Sequence, residues 1–386
     1  MNAKNDSPIV PVNDPSLSPA RLRWQPADIR YRAAGRLFQG IPAIERSPGG
    51  RLYAAWYTGM DGEKSGNFVL VEKSDDDGST WTDGWLVIEH EDSSVRCFDE
   101  CLWRDPLGRL WIFWAQSGYG QFDGRVGVWA MCTREPDAKQ PQFTEPRRIA
   151  NGIMLNKPTV LRNGDWLLPC SLWDESHATV AGPAHPELAR EIGANVYISR
   201  DNGENFSYLS GLQMPRRVFD EHSIIELADG RLWMLTRRED GIGQAFSADG
   251  GQTWDHIGFS GHFGPNSRFH ISRLRNGALL LINHVNPTNA WETAVWKRRD
   301  NLMAMLSYDE GKTWVGGLML DARPDVSYPD ATEGPDGRIY AIYDRERTAA
   351  REILLAVFQP EDVLAGHPVS PKARLRHVIN HATGTL

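Results

Sequence analysis

The chain has no apolar run approaching the eighteen or so residues that a membrane-spanning helix requires. Its opening stretch, MNAKNDSPIVPVNDPSLSP, has no hydrophobic centre of a secretion signal, which predicts a cytoplasmic location. Cysteine is scarce. Cys97, Cys101, Cys132 and Cys170 have neither the close paired spacing of a zinc site nor the density of a disulfide scaffold, so reduced core thiols are expected. An excess of positive charge is missing too. A formal charge of -8, with both signs interspersed, gives no basic stripe for nucleic acid and no polybasic patch for a membrane surface. HExxH runs, phosphate-binding glycine loops and dinucleotide fingerprints are absent, so neither a metal nor a cofactor is expected.

What the chain does contain is repetition. The octet SYDEGKTW at 307–314 returns as SDDDGSTW at 74–81, SRDNGENF at 199–206 and SADGGQTW at 247–254. A second mark, a glycine turn followed by an apolar strand, recurs as PGGRLYAAWY, PLGRLWIFWA, RNGDWLLPCS, ADGRLWMLTR, RNGALLLINH and PDGRIYAIYD. Its glycines are Gly50, Gly108, Gly164, Gly230, Gly277 and Gly337, spaced by the length of one four-stranded antiparallel sheet with its loops. Short apolar segments such as IPAIER, HSIIEL and FHISRL precede the turns, making each unit a β-hairpin. The octet follows about one strand later, where its aspartate can tie loop amides and its tryptophan can wedge under a neighbouring sheet.

Six such units cannot bury their faces singly but can do so when stacked around an axis. The expected fold is all-β, a six-bladed propeller of four-stranded antiparallel blades in one domain spanning 1–386. Residues 1–30 read as an N-terminal extension, about 31–366 as the propeller and 367–386 as a C-terminal tail. Ring closure is expected to recruit a strand near ADIRYRAA into the last blade. Most of the fifteen tryptophans should fill wedges between sheets.

In such a ring the inner strand of each blade starts at the ligand-bearing face, runs to the hairpin turn, and the second strand returns. Residues about nine before each hairpin glycine are Ile41, Asp99, Leu155, Glu221, Arg268 and Tyr328. Neighbouring positions add Gln39, Glu100, Asn156, Lys157, His222, His270 and Asp330. About seven after the glycine stand Arg237, His284 and Asp344. So many reactive groups on otherwise apolar strands predict a binding or catalytic mouth.

Asp-box octets on a six-fold repeat resemble the sialidase superfamily over roughly residues 36–366. That resemblance implies a tyrosine nucleophile opening the last blade, a glutamate that activates it, an aspartate acid/base on a first-blade loop and three arginines on a carboxylate. VSYPDATEGPDGRIYAIYDRER is similar to the tyrosine segment, implying Tyr328. FDEHSIIELADGRLWMLTR is similar to the glutamate segment, implying Glu221, with Arg237 on the returning strand. The acid loop YTGMDGEKSGN offers Asp61 or Glu63, Arg299 stands for the third arginine, and a planar fork there or at Arg268 can still bind one carboxylate.

Two departures stand out. Gly40 in FQGIPAI occupies the place of the first arginine, and Ile242 lies near the place of the second. Each charged hydrogen bond is worth roughly 1.5–3 kcal/mol, so recognition of ordinary sialic acid is not expected. The leading expectation is an exo-acting glycoside hydrolase on another terminal sugar, a uronic or deoxy sugar among the candidates. Its chemical core would be Tyr328, Glu221, Asp99 and Asp330, with a small carbohydrate or oligosaccharide as its partner. Two alternatives stay open: a lyase or atypical glycosidase using His222 or His270 with Tyr328 or Lys157, and a non-catalytic sugar-binding propeller.

Overall fold

All six glycine turns close in the same way. The Gly50 amide donates to the Ser47 carbonyl at 3.1 Å while the Ser47 amide donates to the Arg51 carbonyl at 2.8 Å. The same pair of bonds recurs at the other five turns, ending with Gly337 to Gly334 at 3.1 Å and Gly334 to Arg338 at 2.8 Å. The six glycines have φ between +77° and +108°, a region in which a Cβ is strained, and this is why glycine recurs there.

A computed structural model describes residues 14–118, 125–173, 186–285 and 298–385; residues 1–13 of the expected N-terminal extension lie outside them. The described residues form six antiparallel sheets, the blades of a propeller. Blade one has Gln39–Arg46 innermost, then Leu52–Thr58, Phe68–Ser74 and Leu86–Glu89. Blade two runs Arg96–Arg104, Leu110–Ser117, Gly127–Thr133 and Arg147–Asn151. Blade three runs Thr159–Val160, Trp166–Leu172, Gly193–Ser199 and Ser207–Leu212. Blade four runs Ser223–Glu226, Leu232–Arg238, Gly241–Ser247 and Asp255–Phe263. Blade five runs His270–Arg273, Leu279–His284, Leu302–Ser307 and Val315–Asp321. Blade six runs Val326–Glu333, Ile339–Arg345, Glu352–Phe358 and Arg374–His381.

Ring closure differs from the expectation. Blade six takes all four strands from the C-terminal end, and the strand Arg374–His381 lies within the segment expected as a tail. ADIRYRAA is not a strand: the Asp28 carboxylate accepts the Arg30 amide at 3.0 Å and starts a short 3-10 turn at Ile29–Tyr31. The early strand is Arg21–Trp24 instead, and it pairs outside Leu86–Glu89 of blade one. The first and last blades meet through a side-chain seam. Ile44, Leu52 and Leu70 of blade one pack with Tyr340, Ile342 and Leu355 of blade six. Burying such side chains contributes about 1.5–3 kcal/mol each, so the seam holds the ring without a shared strand.

The octets are turns with one repeated bonding pattern. Ser74 Oγ donates to Asp76 Oδ1 at 2.8 Å, and Asp76 accepts the Thr80 amide at 2.8 Å and the Thr80 hydroxyl at 2.7 Å. Asp249 with Thr253 and Asp309 with Thr313 repeat it, and in the loosened copy the Asn205 side chain takes the threonine's part on Asp201 at 2.7 Å. Hydrogen bonds to the ionised form hold Asp76, Asp201, Asp249 and Asp309 down at about 2. Each octet aromatic is half-buried in a seam between two blades: Trp81, Phe206, Trp254 and Trp314. The four cysteines are free and buried.

Candidate functional site

Three inner strands carry a bulge near their start. Pairing shifts between Gly40 and Ala43, between Phe98 and Cys101, and between Ser327 and Asp330. The bulged residues Ile41, Asp99 and Tyr328 have φ of +60°, +49° and +54°. A non-glycine residue is costly there, and an extra residue in a strand re-aims its side chain. In blade four Asp220, at φ +38°, precedes Glu221 and plays the comparable part. The sequence count of about nine before each hairpin glycine therefore falls on a strained residue in blades one, two and six, and one residue after one in blade four.

Tyr328 is the centre of the resulting cluster. Its hydroxyl donates to Glu221 Oε1 at 2.6 Å and accepts from Arg237 Nη1 at 2.8 Å. The same Arg237 nitrogen lies 2.9 Å from Glu221 Oε1, with both side chains almost fully buried. Arg237 is held from behind by Asn266, whose side-chain oxygen accepts from Nε at 2.6 Å. Arg299 donates to the Asn266 carbonyl at 2.9 Å and sits 5.4 Å from the Tyr328 ring centre. Arg347 lies over the same ring at 4.3 Å. Burial pushes the Tyr328 hydroxyl well above its usual range, against the opposing pull of Arg237.

Of the two arginines expected to offer a carboxylate fork, Arg299 lies beside Tyr328 with Arg237 and Arg347, whereas Arg268 is bonded to Asn156 and Leu155. Arg237 reaches Tyr328 from the returning strand of blade four. The third guanidinium, Arg347, follows the second strand of blade six and was not foreseen. The segment YDRER carried the signal: Asp344, expected as a substrate ligand, instead accepts from Arg347 Nε at 2.8 Å. Asp344 also accepts the Ser327 hydroxyl at 2.6 Å and the Ile41 amide at 2.7 Å, so it fixes two bulges and one arginine.

Four acidic residues flank the cluster in different states. Asp99 is buried, has one carboxyl oxygen without a partner among the described residues, and is pushed up to about 8 by burial, against the pull of Arg96. Glu63 lies 3.1 Å from Arg347 and 3.4 Å from Arg96; burial opposes its ionisation, but the two guanidiniums outweigh it and lower its pKa. Asp61 is paired with Lys64 at 2.7 Å on the exposed loop, which holds it ionised, and no contact joins it to Tyr328. Glu100 is fully buried and strongly raised by that burial, which disqualifies it as a charged substrate ligand.

Five expected site residues belong to a second cluster on the axis. Lys157 Nζ donates to the Ile44 and Leu102 carbonyls at 2.7 Å each and to Asp330 Oδ2 at 2.8 Å. Asp330 also accepts the Ile44 amide at 2.9 Å and lies 3.3 Å from His270 Nδ1. Arg268 donates to Asn156 Oδ1 at 2.8 Å and to the Leu155 carbonyl at 2.7 Å, and Asn156 donates to the His222 carbonyl at 2.8 Å. Burial disfavours the Asp330 anion, but Lys157 outweighs it and holds the carboxyl far below its usual range. These bonds tie the inner strands of the blades together. From this plug a cavity of about 560 Å³ continues past Glu45, Arg104, Glu226 and Glu333 toward the hairpin turns, and neither Tyr328 nor Glu221 lines it.

The remaining expected ligands are structural. Both His222 ring nitrogens lie against backbone carbonyls, of Asp220 at 2.9 Å and Asn195 at 2.8 Å, and burial lowers it to about 4. His284 faces the Asp300 carbonyl at 2.9 Å and is lowered to about 4, again by burial. Gln39 is bonded by Arg36 at 2.7 Å and itself donates to the Arg351 carbonyl at 2.6 Å. No histidine is thus bonded to Tyr328 among the described residues, and no group of three or more histidine, cysteine, aspartate or glutamate residues there could hold a metal ion.

The fold and this cluster define a sialidase-like propeller. A model of the BNR repeat-like domain matches residues 50–341, and the chain belongs to that family. Among solved structures it is similar to a Hadza microbial sialidase, at 17% identity and a TM-score of 0.64 over 86% of this chain and 68% of that one. It is similar to the NanB sialidase of Streptococcus pneumoniae at 12% identity and a TM-score of 0.63, covering 90% of this chain and 71% of that one. A protein of unknown function from Dyadobacter fermentans shares 18% identity and a TM-score of 0.61 over 85% of this chain and 96% of that one. Such identities show a shared fold. No curated protein matches the chain. No helix among the described residues is long and apolar enough to cross a membrane.

Proposed function

We propose that the chain is an exo-acting glycoside hydrolase of sialidase-like type whose substrate ends in an acidic sugar. The observation that carries this reading is the 2.6 Å hydrogen bond from Tyr328 to Glu221, with Arg237 on both partners. A buried phenol does not ionise unaided, since burial raises its pKa. With Glu221 taking the proton as the C–O bond forms, Tyr328 becomes a nucleophile, and Arg237 stabilises the charge spread over the pair.

In the first step the tyrosine oxygen attacks the anomeric carbon, its proton passes to Glu221, and the glycosidic C–O bond breaks. The leaving oxygen takes a proton from Asp99, whose carboxyl stays protonated to about pH 8. In the second step water attacks the anomeric carbon, gives its proton to Asp99, and Tyr328 departs while recovering its own proton from Glu221. Two displacements retain the anomeric configuration. A phenol suits an anionic sugar because it repels the substrate less than a carboxylate nucleophile does.

The test is hydrolysis of a panel of aryl glycosides, of N-acetylneuraminic, glucuronic and galacturonic acids and of deoxy sugars, by the wild type, Tyr328→Phe and Glu221→Gln. Turnover of one acidic glycoside that both substitutions abolish is expected. Turnover that survives in Tyr328→Phe, or hydrolysis of neutral glycosides only, overturns the reading.

A further inference from the structure

We infer that Ser272, His270 and Asp330 form a second active site at the hairpin end of the axis, in which Ser272 is the nucleophile for hydrolysis of a small uncharged carboxylic ester. It is separate from the mouth and stands or falls apart from the glycoside reading.

The order of the three side chains comes first. His270 and Ser272 lie two apart on the inner strand of blade five, so both side chains point to one face. The Ser272 hydroxyl lies 2.9 Å from His270 Nε2, and His270 Nδ1 lies 3.3 Å from Asp330 Oδ1 of blade six. Asp330 is held ionised, so its oxygens only accept. The imidazole proton therefore belongs on Nδ1, which leaves Nε2 to accept from Ser272. Lys157 and the Ile44 amide fix the carboxylate through Oδ2. Oδ1 makes no closed hydrogen bond among the described residues, and the donors facing it are His270 Nδ1 and, at 3.8 Å, Arg268 Nη2. The His270 contact tightens once the ring takes up a second proton. Burial, with Lys157 and Arg268 nearby, lowers the His270 pKa against the pull of Asp330, so the ring is a free base at neutral pH.

The cavity comes second. Ser272 and His270 line the space of about 560 Å³, whereas Asp330 is buried behind its wall. The bonds that tie the inner strands together use Lys157, Asp330 and Arg268 but not Ser272, which is half-buried and whose hydroxyl bonds only His270 among the described residues. Two donors on the same wall make no side-chain hydrogen bond there: the Ser223 hydroxyl and the Arg104 guanidinium. Ser223 stands seven residues before Gly230, as His270 does before Gly277, and Arg104 four before Gly108, where Ser272 is five before Gly277. Both donors therefore lie at the depth of the reacting carbonyl, whose oxygen gains charge as the serine attacks.

The lining selects the substrate class. Ile224, Ile225, Ile271 and Leu274 offer the acyl group an apolar bed. Of the charged side chains on the wall, Lys157 is paired with Asp330 at 2.8 Å and Arg273 with Glu310 at 2.7 Å. The others are three acids, Glu45, Glu226 and Glu333, and three arginines, Arg104, Arg162 and Arg275. Neither sign is in excess, which suits an uncharged ester.

In the reaction Ser272 Oγ attacks the carbonyl carbon and its proton passes to His270 Nε2; the C–O bond to the alcohol breaks and the alcohol leaves with that proton. Water then attacks the acyl-serine and gives a proton to His270, and the acid departs as Ser272 regains it. Asp330 acts through His270 as a positioning residue.

The experiment supplies p-nitrophenyl acetate and butyrate to the full chain as wild type, Ser272→Ala, His270→Gln, Asp330→Asn and Tyr328→Phe, with folding followed by melting. Wild type and Ser272→Ala are also treated with an alkyl fluorophosphonate, from which a serine oxygen displaces fluoride, and digested for mass spectrometry. Turnover should fall at least about 10³-fold in Ser272→Ala and about 10²- to 10⁴-fold in His270→Gln. Asp330→Asn should lower kcat with KM unchanged. The phosphonyl group should sit on the peptide carrying Ser272 and be absent from the alanine variant. A wild type that neither turns over an ester nor takes the label, a label on another residue, or a Ser272→Ala that hydrolyses like wild type overturns the inference. Ester turnover that falls in Tyr328→Phe as far as in Ser272→Ala belongs to the mouth and overturns it as well. Ser272→Ala and the label decide even where the variants of the buried partners melt early. Glycoside turnover is read separately on the panel above, so either reading can fail alone.

Discussion

The mouth around Tyr328 and the plug around Asp330 are centred only two positions apart in one strand, yet they differ in how their polar atoms are used. In the plug, Lys157 spends its donors on two backbone carbonyls and Asp330, and Arg268 spends two of its own on Asn156 and Leu155. In the mouth, three guanidiniums crowd one tyrosine, and Asp99 and Glu221 each keep a buried oxygen without a partner among the described residues. Asp330 Oδ1 and Arg268 Nη1 of the plug also lack a hydrogen-bond partner among the described residues, so the difference lies in what the other polar atoms hold: backbone carbonyls and amides of several inner strands in the plug, one tyrosine in the mouth. The bulge between Ser327 and Asp330 separates the two regimes.

The largest expected difference between the regions is catalytic. Tyr328→Phe should lower kcat/KM by at least about 10³-fold and Glu221→Gln by about 10²- to 10⁴-fold, with melting temperatures close to the wild type. The plug should show the opposite pattern. Lys157→Met leaves the Asp330 carboxylate without its main partner and should cost about 3–5 kcal/mol of stability, read by denaturant unfolding, while the fraction that stays folded keeps its kcat. Both regions losing turnover alike, or neither losing stability, would erase the distinction.

A pH experiment sharpens it further. Asp99 has its folded pKa raised to about 8, so the folded chain holds a proton that the unfolded chain releases near 4. Its contribution to stability is full below about pH 4 and is lost as pH rises to about 8. Asp99→Asn should flatten that slope and, if Asp99 is the proton donor, remove a limb near pH 8 from the rate profile. The plug predicts no such limb, because Asp330 is held ionised throughout. The smallest effect should come from the octets: Asp249→Ala frees an exposed turn and should lower the melting temperature slightly, with kcat unchanged.

The repeat made the ring readable before any coordinates. Hairpin glycines and octets are local devices, each obeying short-range rules of turn conformation and hydrogen bonding, so six copies spell six blades. Tyr328, Glu221 and Arg237 were also legible, because they lie at fixed offsets from those glycines. Offsets could not tell mouth from plug. Arg268 satisfies the same count as Tyr328 yet belongs to the plug, and the bulge that re-aims Tyr328 is not part of the count. Arg347 was hidden for a different reason: it belongs to a loop outside the count, and its position depends on a glycine some three hundred residues away that reads by itself as a lost ligand. Ring closure was misjudged for want of a local signal, since a side-chain seam leaves no periodic mark.

The most direct test of the Tyr328–Glu221 pair as nucleophile and base is to trap the reaction midway. The acidic sugar that the wild type turns over would be supplied as its fluoro-substituted glycosyl fluoride, and the digested protein would be read by mass spectrometry. The account predicts one sugar added to the peptide carrying Tyr328, and none in Tyr328→Phe. A sugar attached to Asp99, Glu221 or any other residue of an active enzyme would contradict it.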